Sequence, residues 1–257
     1  MLVSTRSTHI LVAAAGRGSR MGQQMNKQFL RVGGEPIIIR CLRLCSEFLD
    51  SLEPETDRGL HVICSDNEMD TMQDTVQAYG LGSAVTQYIA GGNSRRESIF
   101  FGLQALPKSG VPDDAIIMIH DGARCLASAD LFARCRDTAI HYGSACPGLP
   151  VHDTLRRAFS HAGQDPVLYE TVSRELLFSM QTPQCFGFEA IMRANQVAEE
   201  AVSFGRVARD AFTDDVSVAQ AAGLEVRLVE GENTNLKLTR PEDIQLAEAI
   251  LAAGLLA

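Results

Sequence analysis

Residues 9–30, HILVAAAGRGSRMGQQMNKQFL, decide the fold of this chain. The apolar run at 10–15 is bounded by glycine and predicts a buried strand. It continues into the loop G-R-G-S-R-M-G at 16–22, whose small residues let a ligand approach the backbone. Glycine frees backbone N–H groups to face an anion, and Arg20 and Lys27 add positive charge at the same place. We therefore predict a strand and loop that hold a triphosphate.

The loop fits neither of two common phosphate-binding patterns. A P-loop needs G-x-x-x-x-G-K-[ST], and no Lys-Ser or Lys-Thr pair follows these glycines. A dinucleotide fingerprint needs G-x-G-x-x-G. Gly16 and Gly18 match it, but Met21 holds the third position and Gly22 comes one residue late. The mismatch argues against a nicotinamide-dependent oxidoreductase, which stays open as an alternative.

Composition limits the possible functions. The chain has 257 residues, of which 46% are hydrophobic and 21% charged, as expected for one globular α/β domain spanning residues 1–257. The net charge of −9 argues against a nucleic-acid partner. An acidic protein that binds anionic substrates must concentrate its cations locally. The basic groups Arg17/Arg20/Lys27 and Arg95/Arg96 are therefore informative.

The cysteines and the hydropathy profile point to the cytoplasm. The seven cysteines are odd in number and contain no C-x-x-C pair, so neither a disulfide framework nor a zinc knuckle is indicated. We interpret them as buried apolar residues. No apolar run is long enough to cross a bilayer, so no membrane association is expected, and residues 1–8 are too polar for a signal peptide.

Strand and helix patterns alternate along the first half of the chain. The expected strands are 10–15, 60–64, 85–90 and 115–120, and the expected helices are 36–49, 66–79, 94–106 and 129–142. This alternation predicts a Rossmann-like α/β fold, a mostly parallel twisted sheet covered by helices. Ligands of such sheets bind at the carboxyl ends of the strands. Because Gly16, Gly91 and Asp121 each follow an expected strand, we expect them at one edge of the sheet.

The alternation stops at residues 149–184. There, 151–159 and 167–174 flank a turn-rich segment and predict a protruding β-hairpin arm that is too polar to form its own core. An isolated hairpin is only marginally stable, so we expect the arm to pack against a second subunit. The remaining expected elements are helices at 186–203 and 213–222, strands at 225–229 and 235–238, and a last helix from about 239. Thr213 is the expected N-cap of the second helix.

Three further motifs carry groups suited to phosphate chemistry. The turn G-G-N-S-R-R-E-S at 91–98 has room for a ring beside its glycines, while Ser98 can bind a base and Arg95 a phosphate. Asp121 follows the central strand, where a carboxylate suits magnesium, and Arg124 can meet a phosphate or hydroxyl. Lys237 lies in an otherwise apolar segment. Since buried lysine is rare unless paired, we expect it to face an anion.

Taken together and in order, these blocks resemble a known family. A-A-G-x-G-x-R-M followed by Lys-Gln is similar to the nucleotide loop of sugar-phosphate nucleotidyltransferases. The other blocks resemble G-G-x-x-R-x-x-S, H-D-A-A-R-P, T-P-Q, T-D-E and N-x-K-[VIL]-T-x-P-x-D, motifs of the 2-C-methyl-D-erythritol 4-phosphate cytidylyltransferase family. The resemblance runs from about residue 9 to the last helix. It implies a homodimeric enzyme that uses CTP, a polyol phosphate and Mg²⁺ or another divalent cation.

The resemblance also implies roles for individual residues. The expected catalytic residues are Arg20, Lys27 and Lys237. The expected nucleotide-binding residues are Ala14, Ala15, Gly16, Gly18, Gly91, Asn93, Arg95, Ser98 and Gly122. The expected substrate-binding residues are Asp121, which is also the metal ligand, and Arg124, Thr154, Arg174 and Thr182. Thr154 and Arg174 would lie on the arm and serve the neighbouring subunit.

The chain departs from the family pattern at a few positions. Gly122 replaces alanine and Cys125 replaces proline in the aspartate motif, which places a free thiol beside the site, and Ala13 stands where many members have proline. Two more alternatives stay open. One is a cytidylyltransferase that acts on ribitol 5-phosphate, and the other is a non-catalytic nucleotide-binding regulator on the same fold.

Overall fold

The computed structural model describes residues 5–16, 26–160, 165–208 and 210–255. Its strands are β1 (Thr8–Ala13), β2 (Arg31–Val32), β3 (Glu35–Pro36), β4 (Arg58–Cys64), β5 (Gln87–Ala90), β6 (Ile116–Asp121), β7 (Ser144–Pro150), β8 (Leu155–Phe159), β9 (Val167–Val172), β10 (Phe178–Met180), β11 (Gln184–Gly187) and β12 (Arg227–Glu230). Its α-helices are α1 (Ile37–Asp50), α2 (Met69–Ala78), α3 (Arg95–Ala105), α4 (Ala129–Tyr142), α5 (Phe188–Ser203), α6 (Asp215–Ala221) and α7 (Pro241–Ala252).

A mixed sheet forms the centre of the protein. Strands β6, β1, β4 and β5 lie side by side and parallel, in that order. Strand β11 pairs antiparallel with both β6 and β7, and β7 also pairs with β10 and, in parallel, with β12. The predicted α/β fold with a mostly parallel sheet is confirmed.

Helices cover both faces of this sheet. Within β6, Met118 packs into a core cluster with residues of α1, α2, α4 and α7, whereas Ile119 packs into a second cluster with residues of α3, α5 and α6. Alternation along a strand sends successive side chains to opposite faces. Strand β6 is fully buried, as expected of a central strand in a helix-covered parallel sheet.

Local sequence explains how one of these helices begins and ends. The hydroxyl of Ser128 accepts a hydrogen bond from the backbone N–H of Leu131 at the start of α4. At its other end Gly143 has φ of 87°, a left-handed conformation that glycine adopts without strain. The predicted range 129–142 therefore matches α4.

The parallel strands bring the three predicted motifs to one edge. Gly91 N–H donates to the carbonyl of Cys64 at the end of β4, over 2.8 Å. Gly122 N–H donates to the carbonyl of Ala13 at the end of β1, over 3.0 Å. The loops after β1, β5 and β6 therefore meet at the carboxyl edge of the sheet, as predicted.

Two predictions about local structure are wrong. Residues 235–238 form no strand, because the segment is held by loop contacts instead of a strand partner; Leu238 N–H donates to the carbonyl of Ala123 over 3.0 Å. The N-cap of α6 is Asp214 and not Thr213, since the Asp214 carboxylate accepts from the Ser217 N–H over 2.9 Å. Strands β7, β10 and β11 were not predicted. Proline and glycine interrupt the β7 sequence, which therefore has no strand pattern.

The predicted hairpin is present as a separate two-stranded sheet. Strands β8 and β9 pair antiparallel, and most of their residues are exposed. Leu168 and Tyr169 on β9 are 62% and 57% exposed, and Leu176 beyond it is 83% exposed. The arm thus carries apolar side chains that its own strands leave uncovered.

The described part of the chain holds no helix with the length and apolar character that a membrane span requires. All seven cysteines are free and buried. Burial raises the pKa of the Cys125 thiol to about 12. The thiol is therefore protonated at neutral pH, and it is not an exposed nucleophile beside the site.

A pair of buried histidines, His9 and His61, lies on the neighbouring strands β1 and β4. His9 Nδ1 is 3.2 Å from His61 Nε2, and His9 Nε2 is 3.3 Å from the carboxylate of Asp57. Gly59 leaves the required space, because a Cβ there would stand 2.6 Å from His9 Nδ1. Burial, reinforced by the neighbouring His9, lowers the pKa of His61 to about 4, and burial also lowers the pKa of His9.

This pair should make folding acid-sensitive. A free histidine titrates near 6.5, so between about pH 6.5 and pH 4 the unfolded chain binds protons that folded His61 does not. The free energy of unfolding should therefore fall as pH falls through this window, by up to about 3 kcal/mol from His61. Denaturant unfolding at a series of pH values measures this free energy. His61→Gln should flatten the slope, and His141→Gln, at an exposed position, should not. Equal slopes in all three proteins would contradict the assignment.

Candidate active site

A cavity of about 1030 Å³ lies at the carboxyl edge of the sheet. Lys27, Lys237 and Asp121 line it together. Of the predicted nucleotide-binding residues, the cavity lining contains Ala15, Gly16, Gly91, Asn93, Arg95 and Ser98. Residues far apart in sequence therefore share one concave surface.

Asp121, at the end of β6, is the charged centre of the cavity. Lys237 Nζ is 2.8 Å from its Oδ2, and Arg95 Nε is 3.2 Å from its Oδ1. Arg124 Nε lies 3.6 Å from Oδ2. One carboxylate thus gathers three cations, two from loops and one from the first turn of α3.

The same contacts keep Asp121 ionised. Burial by itself would raise the pKa of this carboxyl group, but the attraction of Arg95 and Lys237, with a smaller effect of Arg124, holds it well below its usual range. The side chain is therefore an anion at any pH at which the protein works.

Lys27 is the second lysine that lines the cavity. It begins a short 3-10 helix, Lys27–Phe29, whose N-cap Asn26 accepts a hydrogen bond from the backbone N–H of Gln28. Lys27 as a whole residue is 9% exposed, and its Nζ donates to the carbonyl of Leu238 over 3.1 Å. The amino group of Lys27 is thus anchored on the residue next to Lys237. Two of the three lysines in the chain meet at this cavity.

Lys237 is positioned by the loop that replaces the expected strand. The carbonyl of Asn235 accepts from Arg124 Nη1 over 2.7 Å, and the buried Asn235 amide donates to the carbonyl of Thr182 over 2.9 Å. Since each bond joins the loop to the region around Asp121, the loop presents Lys237 without strand pairing.

Close packing defines the wall formed by the turn at 91–98. A Cβ on Gly91 would stand 2.6 Å from the Cβ of Ala15, so glycine is required for the two loops to approach. Ser98 Oγ accepts from the Gly92 N–H over 3.0 Å and donates to the carbonyl of Ser94 over 2.8 Å. The Ser98 hydroxyl therefore shapes the turn.

Several predicted site residues do not line the cavity. Ala14 is fully buried, and Gly122 packs so closely that a Cβ would lie 3.1 Å from Gln28 Oε1. Arg124 donates to the carbonyls of Asn235 and Met180, and the Thr182 hydroxyl accepts from the Asp121 N–H over 3.0 Å. These residues pack around the cavity and hold its lining residues in place.

Other predicted residues lie elsewhere or are not described. Thr154 and Arg174 are exposed on the arm, where Arg174 donates to the carbonyl of His152. Gly18 and Arg20 lie outside the described residues. Buried His120 uses both ring nitrogens, one with the Thr182 hydroxyl and one with the Arg124 carbonyl, so it is structural.

The sequence left the role of one charged residue of the site open. Asp215, the first residue of α6, is 1% exposed, and its Oδ2 lies 2.8 Å from Arg95 Nη1. Burial raises its pKa, while the attraction of Arg95 opposes that rise. The stretch T-D-D at 213–215 resembles the T-D-E motif and also fits a helix start, and the sequence indicated no partner for either carboxylate. Gln28, Ser65, Asp66, Asn67, Glu97 and Phe101 are further lining residues that were not predicted.

The comparisons with known proteins agree with this geometry. A sequence model of the family described as 2-C-methyl-D-erythritol 4-phosphate cytidylyltransferase matches residues 8–253. The chain is 36% identical over 244 residues to the Geobacillus thermodenitrificans enzyme of that name, which covers 95% of this chain and 96% of that one.

Solved structures with the same architecture carry related names. A crystal structure of 4-diphosphocytidyl-2C-methyl-D-erythritol synthase has a TM-score of 0.74 at 25% identity, covering 96% of this chain and 99% of the other. The 2-C-methyl-D-erythritol 4-phosphate cytidylyltransferase of Thermus thermophilus has a TM-score of 0.68 at 29% identity, covering 94% and 98%. The fold, the family match and the curated relatives show that this chain belongs to the 2-C-methyl-D-erythritol 4-phosphate cytidylyltransferase family of nucleotidyltransferases.

Proposed function

We propose that this protein joins CTP to 2-C-methyl-D-erythritol 4-phosphate, giving 4-diphosphocytidyl-2-C-methyl-D-erythritol and pyrophosphate, in the synthesis of isoprenoid precursors. A phosphate oxygen of the polyol phosphate attacks the α-phosphorus of CTP and forms a new P–O bond. The bond between the α-phosphorus and the α–β bridging oxygen breaks, and pyrophosphate leaves with that oxygen. The observation that carries the proposal is the meeting of Lys27, Lys237 and Asp121 at one cavity of a family member with net charge −9.

The chemistry needs cations more than it needs a base. The nucleophile is already an anion, so no proton has to be removed before attack. The obstacle is that two phosphates repel each other, and positioning together with charge neutralisation overcomes it. Lys27 and Lys237 would neutralise the α-phosphate as it gains its fifth bond, and Arg20 would hold the triphosphate.

The narrow slot lined by Ala15, Gly16 and Gly91 would determine which nucleotide base binds. A Cβ on Gly91 would collide with the Cβ of Ala15, and a slot of this kind admits a pyrimidine ring and excludes a purine. Asn93 and Ser98 would support it, Ser98 by shaping the turn. Gly122 would let the backbone beside Gln28 pack at the base of the site.

Asp121 is the residue of the cavity that could bind a divalent cation. The described residues hold no cluster of three or more His, Cys, Asp or Glu side chains around a metal position. Magnesium commonly uses one or two carboxylates together with substrate phosphates and water. Asp121 would hold such an ion, which would neutralise the triphosphate. The ion would then share the carboxylate with Arg95 and Lys237.

The acceptor would bind where Asp121 meets the arm of a second subunit. We propose a homodimer through the arm at 149–184, in which Thr154 and Arg174 of one protomer contact the methylerythritol phosphate held by the other. Arg124 and Thr182 would support this site through their bonds to Asn235 and Asp121. The family match favours methylerythritol phosphate over ribitol 5-phosphate and leaves no support for an oxidoreductase. With seven free thiols, we place the protein in the cytoplasm.

Pyrophosphate release from CTP tests the function directly. With magnesium and 2-C-methyl-D-erythritol 4-phosphate, turnover should be fast, whereas ribitol 5-phosphate should react far more slowly. ATP and GTP should be poor substrates because the slot excludes purines. Comparable rates with GTP would refute base selection. A faster reaction with ribitol 5-phosphate would make that compound the acceptor. Absence of pyrophosphate release with either polyol phosphate would favour a non-catalytic nucleotide-binding regulator.

The two cavity lysines should matter for turnover and not for folding. We expect Lys27→Ala and Lys237→Ala each to lower kcat by about 10²–10³, by analogy with the loss of one oxyanion donor. Lys108→Ala removes the third lysine at an exposed position and is the matched control. Stopped pyrophosphate assays and thermal unfolding measure both effects. Near-normal turnover in either cavity variant would remove that lysine from the mechanism.

The arm predicts the oligomeric state. Because Leu168, Tyr169 and Leu176 are exposed on a hairpin that cannot stand alone, light scattering at micromolar concentration should give twice the 27.9 kDa mass of the chain. Leu176→Ser should weaken the dimer, while Phe204→Ser, at another exposed apolar position, should not. A monomeric wild-type protein would contradict the arm's proposed role.

A further inference from the structure

Asp215 is a second buried carboxylate beside the site, on the far side of Arg95 from Asp121. Arg95 stands between two carboxylates, with Nε 3.2 Å from Asp121 Oδ1 and Nη1 2.8 Å from Asp215 Oδ2. The Asp215 side chain is 1% exposed, against 26% for Arg95. A buried carboxylate is tolerated only when it is paired, and Arg95 is the cation that the structure places beside it.

The position of Asp215 is tied to the strand that neighbours Asp121. The backbone N–H groups of Asp215 and Val216 both donate to Gln184 Oε1, over 2.9 and 3.1 Å. Gln184 begins β11 and pairs in register with Ile119 of β6, two residues before Asp121. The start of α6 is therefore fastened to the sheet at the level of Asp121.

The charges explain what this arrangement does. Asp121 attracts Arg95, Lys237 and Arg124, so it can give up one cation to a phosphate and remain paired. Arg95, in contrast, would be drawn toward an incoming triphosphate unless a fixed charge held its other end. Asp215 supplies that charge from a position that solvent does not reach.

We propose that Asp215 is a positioning residue for the reaction. It holds Arg95 so that Arg95 keeps orienting Asp121, and Asp121 in turn orients Lys237 toward the reacting phosphate. This inference rests on the proposed function. Arg95 then acts as a link between two carboxylates more than as a free phosphate ligand.

The arrangement predicts that loss of the Asp215 charge lowers kcat but does not raise KM for CTP. Without the Asp215 charge, Arg95 is released to bind the triphosphate before reaction as well as during it. Such uniform binding lowers KM without raising kcat. At the same time Asp121 and Lys237 lose their alignment, and misplacement of about 1 Å costs up to about 10²-fold in rate.

The main experiment compares Asp215→Asn with Asp215→Glu and with the control variant Asp130→Asn. Asp215→Asn should lower kcat by about 10- to 100-fold, with KM for CTP unchanged or lower. Asp215→Glu restores a carboxylate and should recover most of the rate. Asp130→Asn removes a carboxylate from the first turn of another helix, α4, at an exposed position, so it should behave as wild type. Thermal unfolding verifies that each variant is folded.

A double-mutant cycle identifies the route of the effect. Arg95→Met removes the link, so Asp215→Asn should cause no further loss of kcat in that background. Equal losses in both backgrounds would overturn the proposal, as would a normal kcat in folded Asp215→Asn, a raised KM, or failure of folded Asp215→Glu to recover.

Calorimetry with magnesium–CTP separates this inference from the proposed function. Asp215→Asn should bind CTP at least as tightly as wild type, and weaker binding would overturn the inference. Absence of turnover in the wild-type protein would instead overturn the proposed function, and it is measured before any variant.

Discussion

The site depends on one buried carboxylate that holds cations in place. Asp121 lies at the end of a fully buried strand, and Lys237 and Arg124 converge on it from two loops, together with Arg95 from the first turn of α3. Burial by itself would neutralise this group, but the surrounding cations keep it ionised. Each ion limits the movement of the others, so the cavity is organised before any ligand arrives, and such preorganisation is what charge-stabilising sites require.

The sheet makes this concentration of charge possible in an acidic protein. The protein carries a net charge of −9, yet Lys27 and Lys237 reach the same cavity from opposite ends of the chain. Parallel strands place their following loops at one edge, and the helices on both faces bury the strands that carry them. A cavity rich in cations can then attract a triphosphate and a sugar phosphate to a molecule that repels anions elsewhere.

Much of the fold was predictable because it has a local cause. Strand β6 is a continuous apolar run, and α4 is capped by Ser128 and Gly143, so each was predicted to within a residue or two. Strand β7 was not, because its prolines and glycine hide the pattern and only its three neighbouring strands hold it extended. The segment 235–238 was misjudged for the opposite reason, since Leu236 and Leu238 pack into the core although the segment has no strand partner.

The sequence by itself determined the fold class, the edge of the sheet where the motifs meet, and the basic residues gathered there, because these follow from hydrophobic periodicity and from the order of strands. Only the tertiary structure decided which charges pair. It placed Asp215 under Arg95, turned Arg124 and Thr182 inward, and anchored Lys27 on the residue beside Lys237. These contacts join residues up to 211 positions apart. Their geometry depends on how the helices and loops pack on the sheet, which no local pattern records.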